Sequence, residues 1–223
     1  MTDPRSWHAS GRVLVIGAGG HARVLIEALR EAGAEVAGLI APVPKHPAPR
    51  RVLGLPILGD DDVLPRLRAE GLSVAVLGIG GNRLRLAIAD RLRDLDVTLP
   101  PLVHPAAYVA ASAVLACGAV VLQRAAVGTQ TVIGRAAIVN SGAVIEHDGR
   151  LDEAAHVAPG CALAGNVSVG ARTLVGVGSA VRPGITIGAD VIVGAGSAVV
   201  ADIPDGAVVG GCPAKPLRRQ NAG

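Results

Sequence analysis

The chain has 223 residues, half of them apolar, with one Trp, one Tyr, no Phe and a formal net charge of +3. Its core must be built from Val, Leu, Ile and Ala, and without aromatic platforms single-stranded nucleic-acid binding is not expected. No apolar run approaches the roughly 18 residues of a membrane span, and the opening MTDPRSWHAS lacks a signal-peptide apolar region, which predicts a cytoplasmic protein without membrane insertion.

Residues 11–100 read as α/β. RVLVIGAGGHARVLIEALREAGAEVAGLI runs strand, Gly-rich turn, amphipathic helix, strand. Its turn, GAGGHA at 17–22, has the GxGxx(G/A) form, in which backbone N–H groups at a helix start suit phosphate. A dinucleotide domain also carries an acid about 20 residues on, at the end of the second strand. Ala41 and Pro42 stand there, which disfavours NAD and favours a nucleoside diphosphate attached to a sugar. The bland alternative is a tight turn that binds nothing. SVAVLGIGG (73–81) reads as another strand and NRLRLAIADRLRDL (82–95) as another helix with Asn82 as N-cap. TLPPLVHP (98–105) is the junction, with His104 in a structural role.

From 102 to 210 the chain repeats. Every sixth residue from Val103 to Val199 is Val, Leu or Ile, seventeen in succession with no insertion. Four places after each aliphatic the residue is mostly small. That position is two before the next aliphatic, so both point inward. Three places after, ten of seventeen are Gly, Asn or Asp, residues that tolerate φ > 0 and mark a corner. Each hexad is a short strand plus a bend.

Against this aliphatic background stands SGAVIEHDGR (141–150). His147 and Asp148 fall at a corner, with side chains free to face out. Eighteen residues on is Gly165, whose backbone is expected about 5 Å away if three hexads close one coil. A basic side chain beside a glycine N–H suits acyl transfer: one accepts a proton from the nucleophile, the other holds the oxyanion. Asp148 and Gly165 also read as plain turn residues, and Glu146 as a solvated side chain. His156, half a coil from His147, cannot easily share a small substrate with it on one prism, but a neighbouring prism in a trimer can present it. Cys161 belongs to the inward column. Cys117, Cys161 and Cys212 form no CxxC pair and the histidines are too scattered for a metal, so neither metal nor disulfide is expected. The tail KPLRR (215–219), within 211–223, reads as a solvated end or as a partner for phosphate groups.

The hexad column resembles the hexapeptide-repeat acyltransferases, which fold as left-handed parallel β-helices with three hexads per coil. With VIGAGGHARV, VLGLPILGDDD, LVHPAA, NSGAVIEHDGRL, HVAPGCALAGNVSVG and GGCPAKPL, the chain over 11–217 resembles the PglD/NeuD-type sugar acetyltransferases. The resemblance implies a Rossmann-like N-terminal domain (11–100) followed by a left-handed parallel β-helix (102–210), a homotrimer, and acetyl-CoA between adjacent β-helices. It implies N-acetylation of a nucleotide-linked amino sugar in bacterial surface-glycan biosynthesis, with His147 as general base, Asp148 orienting it and the Gly165 N–H on the thioester oxygen. His156, Gly165, Gly178 and Lys215 would serve the cofactor. Asn140 would line the sugar pocket, and Gly19, Gly20 and His21 would hold the nucleotide part. Alternatives are O-acetylation of a sialic-acid-type hydroxyl, with the same machinery, or a non-catalytic structural β-helix. Ice-binding and scaffold β-helices present regular ranks of Thr, which is sparse here.

Overall fold

The computed structural model describes residues 11–42 and 51–217, so Arg218 and Arg219 of the basic tail lie outside the described residues. The chain divides between Pro105 and Ala106 into two compact units. No helix among the described residues is long and apolar enough to cross a membrane.

Unit 1 is built on strands β1 (Arg12–Ile16), β2 (Glu35–Ile40), β3 (Arg51–Val52), β4 (Leu55–Gly59) and β5 (Val74–Leu77), in the order β3-β4-β2-β1-β5. All pairs are parallel except β3–β4. Val13, Leu14 and Val15 of β1 are wholly buried, as befits a strand with neighbours on both sides and side chains shielded on both faces. Helix α1 (Gly20–Glu31) buries Ala22, Leu25, Ile26 and Leu29, the spacing of one helix face. It ends where Gly33 takes φ +77° and Ala34 N–H donates back to Leu29 O, a left-handed stop that satisfies the last carbonyls. Helices α2 (Leu64–Ala69) and α3 (Asn82–Asp94) complete the unit.

The N-cap of α3 is Gly81, without a side-chain cap bond. Asn82, expected as the cap, is instead the first helical residue, and its Oδ1 accepts from Arg85 Nη2 at 2.9 Å. A buried guanidinium in need of acceptors takes the side chain that the helix end would otherwise use.

Strand order reverses at β1: β2 lies on one side and β5 on the other. The loops after β1 and β5 therefore part at the carboxyl edge of the sheet, the usual place for a ligand in open α/β sheets. Two glycines allow the approach. A Cβ on Gly17, whose φ is +106°, would lie 2.8 Å from Gly78 O, and one on Gly78 would lie 2.7 Å from Ala22 Cβ.

Unit 2 is a parallel coil of two-residue strands. Val109, Val127, Ile145, Leu163, Val181 and Val199 stack on one another along one face, each 18 residues from the last. Two further faces repeat the pattern, through Leu115–Ile187 and Val121–Val193. From Val121 to Val199 every residue of the aliphatic column is at most 3% exposed. The small column is buried with it, and its hydroxyls are satisfied inside: Thr131 Oγ1 donates to Glu146 O at 2.9 Å and Thr173 Oγ1 to Gly188 O at 2.6 Å. Every third-after position from 118 to 196 has φ between +53° and +73°, including Arg124, Ala136, Ala154 and Arg172. The final turn is two residues short, since Val193 pairs with Val209.

Candidate active site

The first constellation sits on the corner between the 144–145 and 150–151 strands. The backbone there is pinned from both adjacent coils. Asp148 N–H donates to Thr129 O (2.9 Å), Asn166 N–H to His147 O (2.9 Å) and Glu146 N–H to Leu163 O (3.0 Å). Thr131 Oγ1 holds Glu146 O from within, and Gly128 leaves room below, since a Cβ there would be 2.9 Å from His147 N. His147 and Asp148 face outward as expected, their side chains 63% and 50% exposed.

His147 Nδ1 lies 2.8 Å from Asp148 Oδ2. A carboxylate only accepts, so Nδ1 carries the proton and Nε2 presents its lone pair. The ring lies over Gly165: a Cβ on that residue would overlap His147 Cε1 and Nε2 and lie 3.1 Å from Cδ2. In this corner pattern the amide two places after the buried aliphatic makes no backbone bond, and the Gly165 N–H follows it, donating to no backbone carbonyl. An imidazole lone pair and a main-chain donor thus share one corner of adjacent coils. Glu146 is exposed.

The second constellation lies one corner back. Asn140 Oδ1 accepts from Ser141 N–H at 2.8 Å, so its amide nitrogen donates to His156 Nε2 at 3.0 Å. His156 Nε2 is therefore an acceptor. Gly178 lies on the same corner as Asn140, two coils on. Its φ is +67°, its N–H is taken by Pro159 O at 3.0 Å, and the space where a Cβ would stand is open. Lys215 is exposed on a short strand (Lys215–Pro216) antiparallel to Val208–Gly210. The residues expected to serve one reaction thus occupy two edges of one flat face, on the order of 15 Å apart. Cys161 is core: burial pushes its thiol pKa up, and Sγ donates to Gly176 O at 3.0 Å. His104 is buried against Glu31, Nε2 to Oε2 3.2 Å.

In unit 1, Gly19 caps α1 and Gly20 opens it, with open space where either would carry a Cβ. His21 Nε2 is sealed from solvent without a hydrogen-bond partner. Burial, and next the Arg85 guanidinium, bring its pKa down to about 4, so the ring is neutral. Arg85 was not foreseen. It is fully buried and reaches Ile79 O (3.1 Å), Gly80 O (3.0 Å) and Asn82 Oδ1 (2.9 Å), and burial brings its own pKa down to about 10. It shares the inward stripe of α3 with Ala89 and Leu92, so an arginine at helical spacing from two apolar residues was the available signal. Beside it, a cavity of about 470 Å³ opens over the carboxyl ends of β1, β2 and β4. Ala41 and Pro42 line it, and so do Asp60, Asp61 and Asp62, carboxylates that arrive from a strand other than the expected one. No group of three His, Cys, Asp or Glu among the described residues is placed to hold a metal.

Residues 12–92 match the family model described as the PglD N-terminal domain. Among solved structures, a histidine-to-asparagine mutant of perosamine N-acetyltransferase from Caulobacter crescentus, in complex with CoA and GDP-perosamine, is 47% identical. The match covers 93% of this chain and 97% of that one, with a TM-score of 0.90. The acetyltransferase domain of PglB from Neisseria gonorrhoeae, in complex with acetyl coenzyme A, is 36% identical over 92% of this chain and 98% of that one, with a TM-score of 0.86. WeeI from Acinetobacter baumannii shares the fold at 19% identity, over 92% and 99% of the two chains, with a TM-score of 0.80. No curated protein sequence matches. The fold and these relatives together define a left-handed β-helix acyltransferase with a Rossmann-like N-terminal unit. The chain belongs to the PglD/NeuD-type sugar acetyltransferases and is an acetyl-CoA-dependent sugar N-acetyltransferase.

Proposed function

We propose that this protein transfers the acetyl group of acetyl-CoA to the amine of a nucleotide-linked sugar, with His147 as general base, Asp148 as its orienting partner and the Gly165 N–H as oxyanion donor. The observation that carries this reading is the Nδ1–Oδ2 contact of 2.8 Å, which turns a lone pair outward from an imidazole lying over Gly165. The sugar nitrogen attacks the thioester carbon, forming the C–N bond. The carbonyl electrons move to oxygen, where the Gly165 N–H stabilises them. The nitrogen's proton passes to His147 Nε2. When the carbonyl re-forms, the C–S bond breaks and the CoA thiolate leaves, to be protonated in turn. No acyl-enzyme is required.

The main-chain N–H groups of Gly19, Gly20 and His21 hold the diphosphate at the start of α1, where unpaired N–H groups favour anions, while the buried His21 ring takes no part. The working unit is a homotrimer. His156, Asn140 and Gly178 of one prism lie a full face from His147 of the same prism, and a second copy closes that gap. Lys215 meets phosphate of the cofactor. The reaction belongs to bacterial surface-glycan biosynthesis in the cytoplasm. Support comes from relatives solved with CoA together with GDP-perosamine, and with acetyl coenzyme A.

The test offers acetyl-CoA with UDP-, GDP- and dTDP-linked amino sugars, alongside their hydroxyl counterparts, and reads products by mass spectrometry. Acetylation of an amino sugar with release of free CoA is expected. Acetylation of the hydroxyl partner instead, or no transfer to any of them, would overturn the reading.

A further inference from the structure

The cavity of unit 1 has aliphatic walls, among them Ile16, Ile40, Ile79 and Ile88, and an acidic rim. Its volume of about 470 Å³ is in the range of small-molecule sites, which pair apolar walls with a few placed polar groups. Flat aliphatic walls suit a planar base, and the polar groups then decide which base.

The three rim carboxylates are not equivalent. The Asp62 side chain is 89% exposed. Asp60 Oδ1 accepts from Asp62 N–H at 3.2 Å, capping the turn Asp61–Val63. Asp61 is the inward one, its side chain 25% exposed, and Arg91 Nη1 fixes its Oδ2 at 3.0 Å. A carboxylate offers about four acceptor positions and no donor. One bond from Arg91 leaves the others open while it locks the side chain.

We propose that this cavity selects guanine as the base of the nucleotide-linked sugar and that Asp61 is the residue that reads it. The inference rests on the reading that unit 1 holds the nucleotide. Guanine presents N1–H and the N2 amino group side by side, two parallel donors that one carboxylate accepts together. Uracil and thymine present a single N–H between two carbonyl oxygens, which a carboxylate repels. Adenine presents a donor beside a lone pair. An acceptor-only group therefore discriminates by attraction and by repulsion at once. Ala41 and Pro42, where an acid was expected, leave the second strand's edge apolar, and the reading group is supplied from the turn after β4. Relatives 47% identical to this chain were solved with a guanosine diphosphate sugar, which agrees with the selection.

Isothermal titration of the full chain with GDP, IDP, UDP and XDP tests this. GDP is expected to bind roughly 10- to 100-fold more tightly than UDP, with IDP, which lacks the N2 amino group, in between. Asp61→Asn should lose a similar factor for GDP and gain affinity for XDP, because the amide N–H can donate to the xanthine 2-carbonyl. UDP binding as tight as GDP, IDP indistinguishable from GDP, or Asp61→Asn retaining full GDP affinity would each overturn the inference and leave the acetyltransferase reading standing. If no nucleoside diphosphate binds at all, the nucleotide role of unit 1 falls, and the base selection with it. The comparison of GDP with IDP uses wild-type protein, so it decides the matter even if the variant fails to fold.

Discussion

Asp148 bends the chain and holds the His147 ring: at φ +56° it closes a β-helix corner, and its Oδ2 accepts from His147 Nδ1 at 2.8 Å. The two roles separate by substitution. Asp148→Gly suits the left-handed backbone at least as well and deletes the carboxylate. We expect an unchanged or raised Tm with kcat lowered roughly 10²- to 10⁴-fold. A glycine variant with near-wild-type kcat would show that Asp148 is a turn residue only.

Gly165 and Gly178 predict opposite outcomes for the same change. A Cβ on Gly165 meets the His147 ring, so Gly165→Ala should displace the imidazole and abolish most activity while leaving the coil folded. Gly178 has φ +67° and open space around its missing Cβ. Gly178→Ala should cost about 1 kcal/mol of backbone strain and, on the cofactor side of the proposed site, raise the KM for acetyl-CoA while leaving the His147 ring in place. Steady-state kinetics and thermal melts on both variants check the contrast.

Subunit mixing tests the shared site. Each site is proposed to draw His147 from one protomer and His156 from the next. His147→Ala and His156→Ala proteins, each nearly inactive, should on co-refolding regain roughly a quarter of wild-type activity, the share of interfaces with both histidines intact. Recovery indistinguishable from zero would mean that both histidines serve from the same chain.

Arg85 is the structural keystone of the loop after β5, donating to Ile79 O, Gly80 O and Asn82 Oδ1 from a fully buried position. Arg85→Met should strand those acceptors and lower the unfolding free energy of unit 1 by roughly 2–4 kcal/mol. Lysine should rescue only part, because it lacks the planar fork that reaches several acceptors. Urea denaturation of the three proteins gives the ranking.

His21 makes unit 1 acid-sensitive. Folded, it titrates near pH 4, against about 6.5 for a free imidazole. As pH falls below 6.5, the unfolded chain takes up a proton that the folded unit refuses. Stability should therefore decline from pH 6.5 toward 4 and flatten below it, with the gap bounding the loss at roughly 3 kcal/mol. His21→Asn removes the titration, so its urea midpoint should depend less on pH across that window. Parallel slopes would exclude the histidine as the cause.

The coil of unit 2 was legible because its long-range contacts are its short-range period repeated. An aliphatic at each sixth place packs on the aliphatic 18 residues on, so His147 and Gly165 fall together by counting. The corners were read from their Gly, Asn and Asp, yet Arg124, Gln130, Ala136, Ala154 and Arg172 take the same left-handed φ. Closure of the triangle imposes that conformation whatever residue stands there. Composition therefore revealed the ladder and missed five of its fourteen corners between 118 and 196.

Unit 1 offers no such shortcut. Its sheet order β3-β4-β2-β1-β5 differs from chain order, so residues remote in sequence meet at the carboxyl edge. The Gly-rich loop was recognisable because its pattern is local. That Asp61 pairs with Arg91, 30 residues away, and that Arg85 turns inward beneath the loop after β5, follow only from how α3 packs. A repeat carries its tertiary contacts in its own spacing, whereas a mixed sheet makes them between segments whose separation the sequence does not state.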